Sequence, residues 1–315
     1  MPLIATLTLN PAMDLSVSTA RVTDTRKLRC SLPRHHPGGG GINVARVVKT
    51  LGGKAVAVYP AGGPFGELLQ RSLNELGLVH RPVSIAGDTR ESFTVDELES
   101  GLQYRFVLPG PALAEQELQR CLATLAALRP APAYVVLSGS FPPGVALSFY
   151  DELLVLTRRL GARLVVDLSG EPLRYAARQG GAYLMKPSLD ELSTLMGCAV
   201  LSEAEQEEAL RRLIAQGSAE IIVLSLGAEG ALYACGDQLQ RLPSPDVAVV
   251  SAVGAGDSML GAMVLALAEE QSLREAVRLG IAAGAATVIR PGTELCHRDD
   301  VQRLLTMESD PTRSG

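Results

Sequence analysis

The chain has 315 residues, 47% of them hydrophobic and 20% charged, so it holds enough apolar material for a sizeable core and is not built as a disordered polyelectrolyte. A net charge of −5 offers no electrostatic footprint for nucleic acid or an anionic membrane, and an anionic small substrate would have to be met by a local basic site. Five scattered cysteines without a CxxC pair argue against a zinc site or disulfide framework, and with no signal-like start and no apolar run near ~20 residues they predict a soluble, cytoplasmic protein.

Residues 2–9 alternate as a first strand, and residues 10–14 follow as a turn that carries Asp14 just past it. Two short, β-prone, partly polar stretches come next, at 15–22 and 28–35. Pro37 and the glycines 38–41 break the chain before a helix at 42–51. A strand at 54–59 and an amphipathic helix at 65–76, closed by Gly77, follow. Residues 90–108 have the pattern of a hairpin around Gly101 with one polar face. Together with 15–22 and 28–35 they predict a small sheet without a helix of its own, a lid drawn from about 15–35 and 88–108. After Pro109, helices at 115–128, 146–160, 171–179, 188–196 and 203–216 alternate with strands at 133–138, 163–168, 182–185 and 220–225. A hairpin at 230–242 leads to the apolar, β-branched run 247–253, read as a buried strand, and helices at 257–269, 272–290 and 298–306 close the domain. The polar tail, 307–315, is expected to fray. This rhythm implies one α/β domain over 1–306, its parallel sheet covered on both faces, with ligands beyond the carboxyl ends of the strands.

Those ends carry the candidate chemistry. Gly254 and Gly256 sit where a strand is expected to turn into a helix, with Asp257 in the first helical turn. Glycines let the backbone approach a ligand, and a helix start offers unpaired N–H groups to an anion. Such a cradle could hold a phosphoryl group while Asp257 takes a proton from an attacking hydroxyl, although an Asp here also serves as a plain helix cap. Four glycines before Asn43 are more than a turn needs, and they suit a backbone lying flat against a polyhydroxylated ligand. Asp14 could accept sugar hydroxyls, and Arg90 and Arg105, flanking the lid, could grip a phosphate. Lys186 could reach phosphates, with Glu191 on a magnesium-bound water, yet Ser188 and Glu191 also have the spacing of a capping box. Ser225, Gly227 and Gly230 form a further turn suited to a nucleotide, and Asp167 ends a strand nearby. No GxxxxGK[ST] or GxGxxG pattern is present, which weighs against P-loop ATPases and dinucleotide dehydrogenases.

Taken together, PGGGGINVAR at 37–46 and VGAGDSMLGAM around Asp257 resemble the two signatures of the ribokinase-like sugar kinases. TLTLNPAMD, SGSFPPGV, VLSLGAEGAL and GTELC are most similar to the minor bacterial ATP-dependent 6-phosphofructokinases within that family, and the resemblance runs from about Leu3 to about residue 306. It implies a ribokinase-like three-layer αβα, Rossmann-like domain with a β-lid, dimerising through that lid. It also implies transfer of the ATP γ-phosphoryl group to a sugar phosphate, with fructose 6-phosphate going to fructose 1,6-bisphosphate. Tagatose 6-phosphate and fructose 1-phosphate remain alternative acceptors, and a non-catalytic sugar-phosphate sensor is the competing reading from another class.

By matching position, the resemblance makes Asp257 the base and the Gly254, Ala255 and Gly256 amides the anion hole. It assigns Asp14, Gly39, Asn43, Arg90, Arg105 and Ser140 to the sugar phosphate. Lys186, Ser188, Ser225, Gly227, Gly230 and Gly284 fall near ATP, with Lys27 reaching in from the lid, and Glu191 and Asp167 near Mg2+. A monovalent cation such as K+ is implied at Ser251, Val253, Thr287, Arg290 and Gly292, mostly through backbone carbonyls. Two departures stand out: Ser188 replaces the family's usual Asn, and Arg290-Pro291 replaces Asn-Gln.

Overall fold

A computed structural model describes residues 1–24, 27–199 and 202–307. Among these residues two sheets form. The larger has nine strands, in spatial order β13 (Gln238–Leu242), β12 (Ala231–Cys235), β11 (Ala219–Ser225), β10 (Ala182–Met185), β9 (Arg163–Asp167), β8 (Tyr134–Ser138), β1 (Leu3–Leu7), β4 (Lys54–Ala61) and β5 (His80–Ser84). From β11 to β5 all pairs are parallel, and β12 and β13 add an antiparallel edge. The smaller sheet runs β3 (Arg34–Gly38), β2 (Ala12–Thr19), β6 (Arg90–Glu97), β7 (Gln103–Val107).

Helices cover both faces of the large sheet, as its apolar strands require. In β1, Ile4 faces one core while Ala5 and Leu7 alternate with it toward or near the other. One face packs against α3 (Glu115–Ala126), α4 (Phe149–Leu160), α5 (Gly170–Gln179), α6 (Leu189–Met196) and α7 (Glu203–Ala215), through side chains such as Leu125, Leu153, Leu173 and Leu210. The other packs against α1 (Gly40–Thr50), α2 (Gly63–Glu75), α8 (Ala255–Ala268) and α9 (Leu273–Val288), and α10 (Arg298–Met307) lies on α9. Each fully buried Leu or Val contributes roughly 1.5–3 kcal/mol. Small residues let α1, α8 and α9 approach closely. A Cβ at Gly280 would come 2.5 Å from Met263 Cγ and 3.0 Å from the Met259 carbonyl, and one at Gly261 would come 3.0 Å from the Val44 carbonyl.

Four expectations change. The run 247–253 forms no strand: Val249 and Val250 are 65% and 58% exposed, and the Val250 and Ser251 amides donate to the Val288 carbonyl at the end of α9. An apolar run bordering a cavity satisfies periodicity as well as a strand does. The stretch 28–35 is mostly irregular, and the strand there is β3, which includes Pro37; as an edge strand β3 tolerates a residue without an N–H. Asp14 is no turn residue but stands inside β2, opposite His36 and Ser92. Finally, β5 joins the sheet edge unpredicted, its signal blurred by Pro82 and Arg81. The tail beyond Met307 lies outside the described residues.

Candidate active site

The centre is the start of α8. Gly254 precedes the helix with φ 76° and ψ 1°, a left-handed conformation suited to glycine, and no side chain caps the helix. The Ala255 amide makes a long bond, 3.5 Å, to the Ala252 carbonyl, and the N–H groups that follow it, at the positive end of the helix dipole, are left for an anion. Asp257 stands in that first turn, and Asn43 Nδ2 donates to its Oδ2 at 2.9 Å. Burial, reinforced by the nearby negative Asp167, pushes the Asp257 carboxyl up to about 7, against the Asn43 hydrogen bond and the Lys186 charge. A carboxyl poised near neutral suits a general base.

Lys186 lies just past β10, 5% exposed, its Nζ 3.2 Å from Asp167 Oδ1 at the end of β9. Burial works against its charge, but Asp167 and Glu191 outweigh burial and hold its pKa above the usual lysine value. A Cβ at Gly256 would be 3.4 Å from that Nζ, so the ammonium lies directly against the helix start. Glu191 accepts from the Ser188 amide at 2.8 Å, and Ser188 Oγ accepts from the Glu191 amide at 3.3 Å, a complete capping box.

A cavity of about 590 Å³ opens on one side of this centre. Its walls are largely apolar, including Met259, Ile281, Val288 and Val249, and its floor includes Ala255, Gly256 and Gly284. Ser225, Gly227 and Gly230 line it as expected. Such a slot, ending at an uncapped helix start, fits a purine base leading to a polyphosphate. Lys27 is exposed and absent from the lining. Ser244, Pro245 and Asp246, which also line it, carried no motif that would have marked them.

On the other side the small sheet supplies the polar groups. Its pleat puts Asp14, Ser16, Arg90, Ser92, Thr94 and Arg105 on one face by register. Burial raises the Asp14 pKa, with Arg90, Arg105 and Arg46 pulling it back. Arg90 donates to the Asn10 carbonyl (Nη2, 3.1 Å) and the Leu108 carbonyl (Nη1, 3.0 Å). Asn10 Nδ2 donates to Ser140 Oγ at 2.9 Å, so Asn10, which sequence reasoning missed, holds two candidate phosphate ligands at once. Gly39, with φ 110°, leads into α1, and a Cβ there would come 2.8 Å from Thr8 Cγ2 and 3.2 Å from Pro11 Cα.

Among the described residues no group of three or more His, Cys, Asp or Glu is arranged to hold a metal by itself. Mg2+ commonly takes one or two carboxylates plus substrate phosphates, and Asp167 beside the cradle is such a carboxylate, with Glu191 close enough to act on the same lysine. For the monovalent cation, Ser251 Oγ donates to the Gly292 carbonyl at 2.6 Å, which draws the two expected loops together. Thr287 Oγ1 is spent on Ser258 Oγ and the Ala283 carbonyl. The Arg290 guanidinium is paired with Asp300 on α10, so its charge is neutralised away from those carbonyls. Of the five expected positions, Ser251 and Gly292 are thus joined directly, while the side chains of Thr287 and Arg290 are committed elsewhere.

An αβα domain whose glycine-started helix places an Asp between an apolar slot and an arginine-edged cleft defines a sugar kinase. A model of the pfkB family of carbohydrate kinases matches residues 7–300, and the chain belongs to that family. The ATP-dependent 6-phosphofructokinase isozyme 2 of Mycobacterium tuberculosis is 46% identical over 314 residues, covering 100% of this chain and 92% of that protein. Crystal structures of phosphofructokinase-2 from Escherichia coli, in complex with potassium and with fructose-6-phosphate, align with TM-scores of 0.94 and 0.92 at 41% and 40% identity, over 98% of this chain and 100% of theirs. The 1-phosphofructokinase of Bacillus subtilis is 32% identical over 303 residues, 96% of this chain and 97% of that protein.

Proposed function

We propose that this kinase is an ATP-dependent 6-phosphofructokinase that moves the γ-phosphoryl group of ATP to the 1-hydroxyl of fructose 6-phosphate, with Asp257 as the base. The observation that carries the reading is the position of Asp257, at the uncapped start of α8 between the apolar cavity and the Asp14–Arg90–Arg105 face. Higher identity to 6-phosphofructokinases than to a 1-phosphofructokinase supports the choice of acceptor. Asp257 accepts the hydroxyl proton. The Gly254–Gly256 amides and Lys186 face the charge that grows on the transferred group. Asp14 and Asn43 orient the sugar, and Arg90, Arg105 and Ser140 take its phosphate. Ser225, Gly227, Gly230 and Gly284 seat the nucleotide; Asp167 and Glu191 hold magnesium, which when bound neutralises phosphate charge, and the carbonyls near Val253 and Gly292 take a potassium ion. In an ADP-release assay, fructose 6-phosphate is expected to give a kcat/KM at least about tenfold above tagatose 6-phosphate and fructose 1-phosphate, the scale of a lost polar contact. A preference for either alternative overturns the acceptor, and binding without ADP release from any of them overturns catalysis.

The small sheet acts as the lid in this reading, and two lids join two chains. Opposite its polar face, register puts Leu15, Val17, Phe93, Val95 and Phe106 on the other side. Phe93 and Phe106 stack at 4.6 Å, and Phe106 is 45% exposed. A second copy would cover this apolar face. Light scattering at micromolar concentration is expected to give a two-chain mass, and Phe106→Asp a one-chain mass; a one-chain mass for the unaltered protein rejects the assembly. No helix among the described residues is long and apolar enough to cross a membrane, and all five cysteines are free thiols, which supports the cytoplasm as the working compartment.

A further inference from the structure

Arg46 follows Asn43 by three residues on α1, so both side chains share one face of the helix. Its Nη1 donates to the Pro37 carbonyl at 2.8 Å and to Asn43 Oδ1 at 3.0 Å. Asn43 Nδ2 donates in turn to Asp257 Oδ2 at 2.9 Å. An arginine N–H cannot accept, and an ionised carboxylate cannot donate. The amide between them satisfies both neighbours in only one of its two orientations. Turned over, its NH2 would face the guanidinium N–H and its oxygen would face the carboxylate. Burial lowers the Arg46 pKa to about 10, with Asp14 and Asp257 pulling it back, so the side chain remains charged at neutral pH.

We propose that Arg46 is a positioning residue for phosphoryl transfer: it locks the Asn43 amide, which pins Oδ2 of Asp257 and leaves the other carboxylate oxygen for the proton of the sugar hydroxyl. This rests on Asp257 being the base. Pro37 belongs to β3 of the small sheet, so the same Nη1 also ties the setting of the base to the strand that borders the sugar cleft. Next to Pro37, Gly38 lies under the Asp14 carboxylate, where no Cβ would fit.

The test is a mutant cycle on the full-length protein. Arg46→Lys keeps the charge but ends short of Asn43, and Arg46→Gln removes the charge. Each is made alone and with Asn43→Ala. Each Arg46 variant is expected to lower kcat at least tenfold and to change the sugar-phosphate KM as Asn43→Ala does, while the KM for ATP stays within about threefold. In the Asn43→Ala background, either Arg46 variant is expected to lower kcat by less than twofold more. Independent, multiplying losses overturn the proposal, as does a fall in melting temperature with kcat unchanged. If Arg46→Gln does not fold, Arg46→Lys decides by the same criterion. Asp257→Asn measured alongside separates the two claims: near-normal turnover in that variant rejects the base, whereas the coupling between residues 46 and 43 stands or falls on the cycle alone.

Discussion

Asp257→Asn is expected to lower kcat by at least ~10²–10⁴, the range for loss of a general base, while ATP and the sugar phosphate still bind. Amide and carboxylate are nearly the same size, so the helix start and the Asn43 contact region keep their shape. The unaltered enzyme should show kcat/KM falling on the acid side of about pH 7, where burial holds the carboxyl protonated. The same substitution should raise stability in neutral and alkaline solution. The folded pKa is raised from 3.8 to about 7, so the stabilising contribution of this proton is complete below the unfolded value and is lost as pH rises through about 7. At ~1.4 kcal/mol per pH unit the loss is at most about 4 kcal/mol, and solvent reaching the carboxyl through the cleft reduces it. Asp257→Asn should therefore melt roughly 2–6 °C above the unaltered protein near pH 8 and no higher near pH 3. Equal melting at both pH values would mean that the carboxyl is not held protonated, and turnover close to normal would end its role as base.

The second large effect is structural. Gly230 turns the chain from β11 into β12 with φ 93° and ψ −123°. A Cβ there would press on the Leu242 carbonyl and come 2.6 Å from Pro243 C and 2.8 Å from Ser244 N, all backbone atoms that cannot rotate away. Backbone strain of ~1–3 kcal/mol and overpacking of similar size should together cost Gly230→Ala at least ~3 kcal/mol, a drop of roughly 5–10 °C in melting temperature. Because Ser244 and the residues after it wall the cavity proposed for the nucleotide, the KM for ATP should also rise about tenfold with the sugar-phosphate KM unchanged. Gly227→Ala is the control. Its φ of 59° is also left-handed, but nothing lies within 4 Å of the added methyl, so the loss should be only about 1 kcal/mol. Equal losses at the two positions would show that the hairpin yields to the intrusion.

Most of this architecture was legible because buried parallel strands and amphipathic helices write different periods. The strands at 134–138 and 163–167 and the helix between them are local facts of hydrophobic spacing. What failed was non-local. Residues 247–253 look like a strand because apolar lining and apolar core have the same composition; only the distant end of α9 shows where their amides go. Asp14 stood out as a candidate ligand but not as a strand residue, since its pairing partners lie at His36 and Ser92. Arg46 was visible inside the glycine-rich signature, at helical spacing from Asn43, yet its role depends on Pro37 and Asp257, one behind it and one 211 residues ahead by subtraction of their numbers. Ser188 was read two ways, and the capping geometry is in place whatever nucleotide contact it also makes.

The two-faced pleat of the small sheet also limits which changes of length the gene can accept. In β2 and β6 each residue faces the side opposite its neighbour's, so Asp14 and Arg90 share a face with alternate positions and Leu15 and Phe93 take the other. Removing or adding a single residue inside either strand would exchange the faces beyond that point. A carboxylate or guanidinium would then be turned toward the apolar side, and an aliphatic or aromatic ring toward the polar face. Substitutions there can be graded, but indels cannot: these strands should tolerate changes of two residues better than changes of one, and the turn at Gly101, where no atom crowds the glycine, is where extra length belongs.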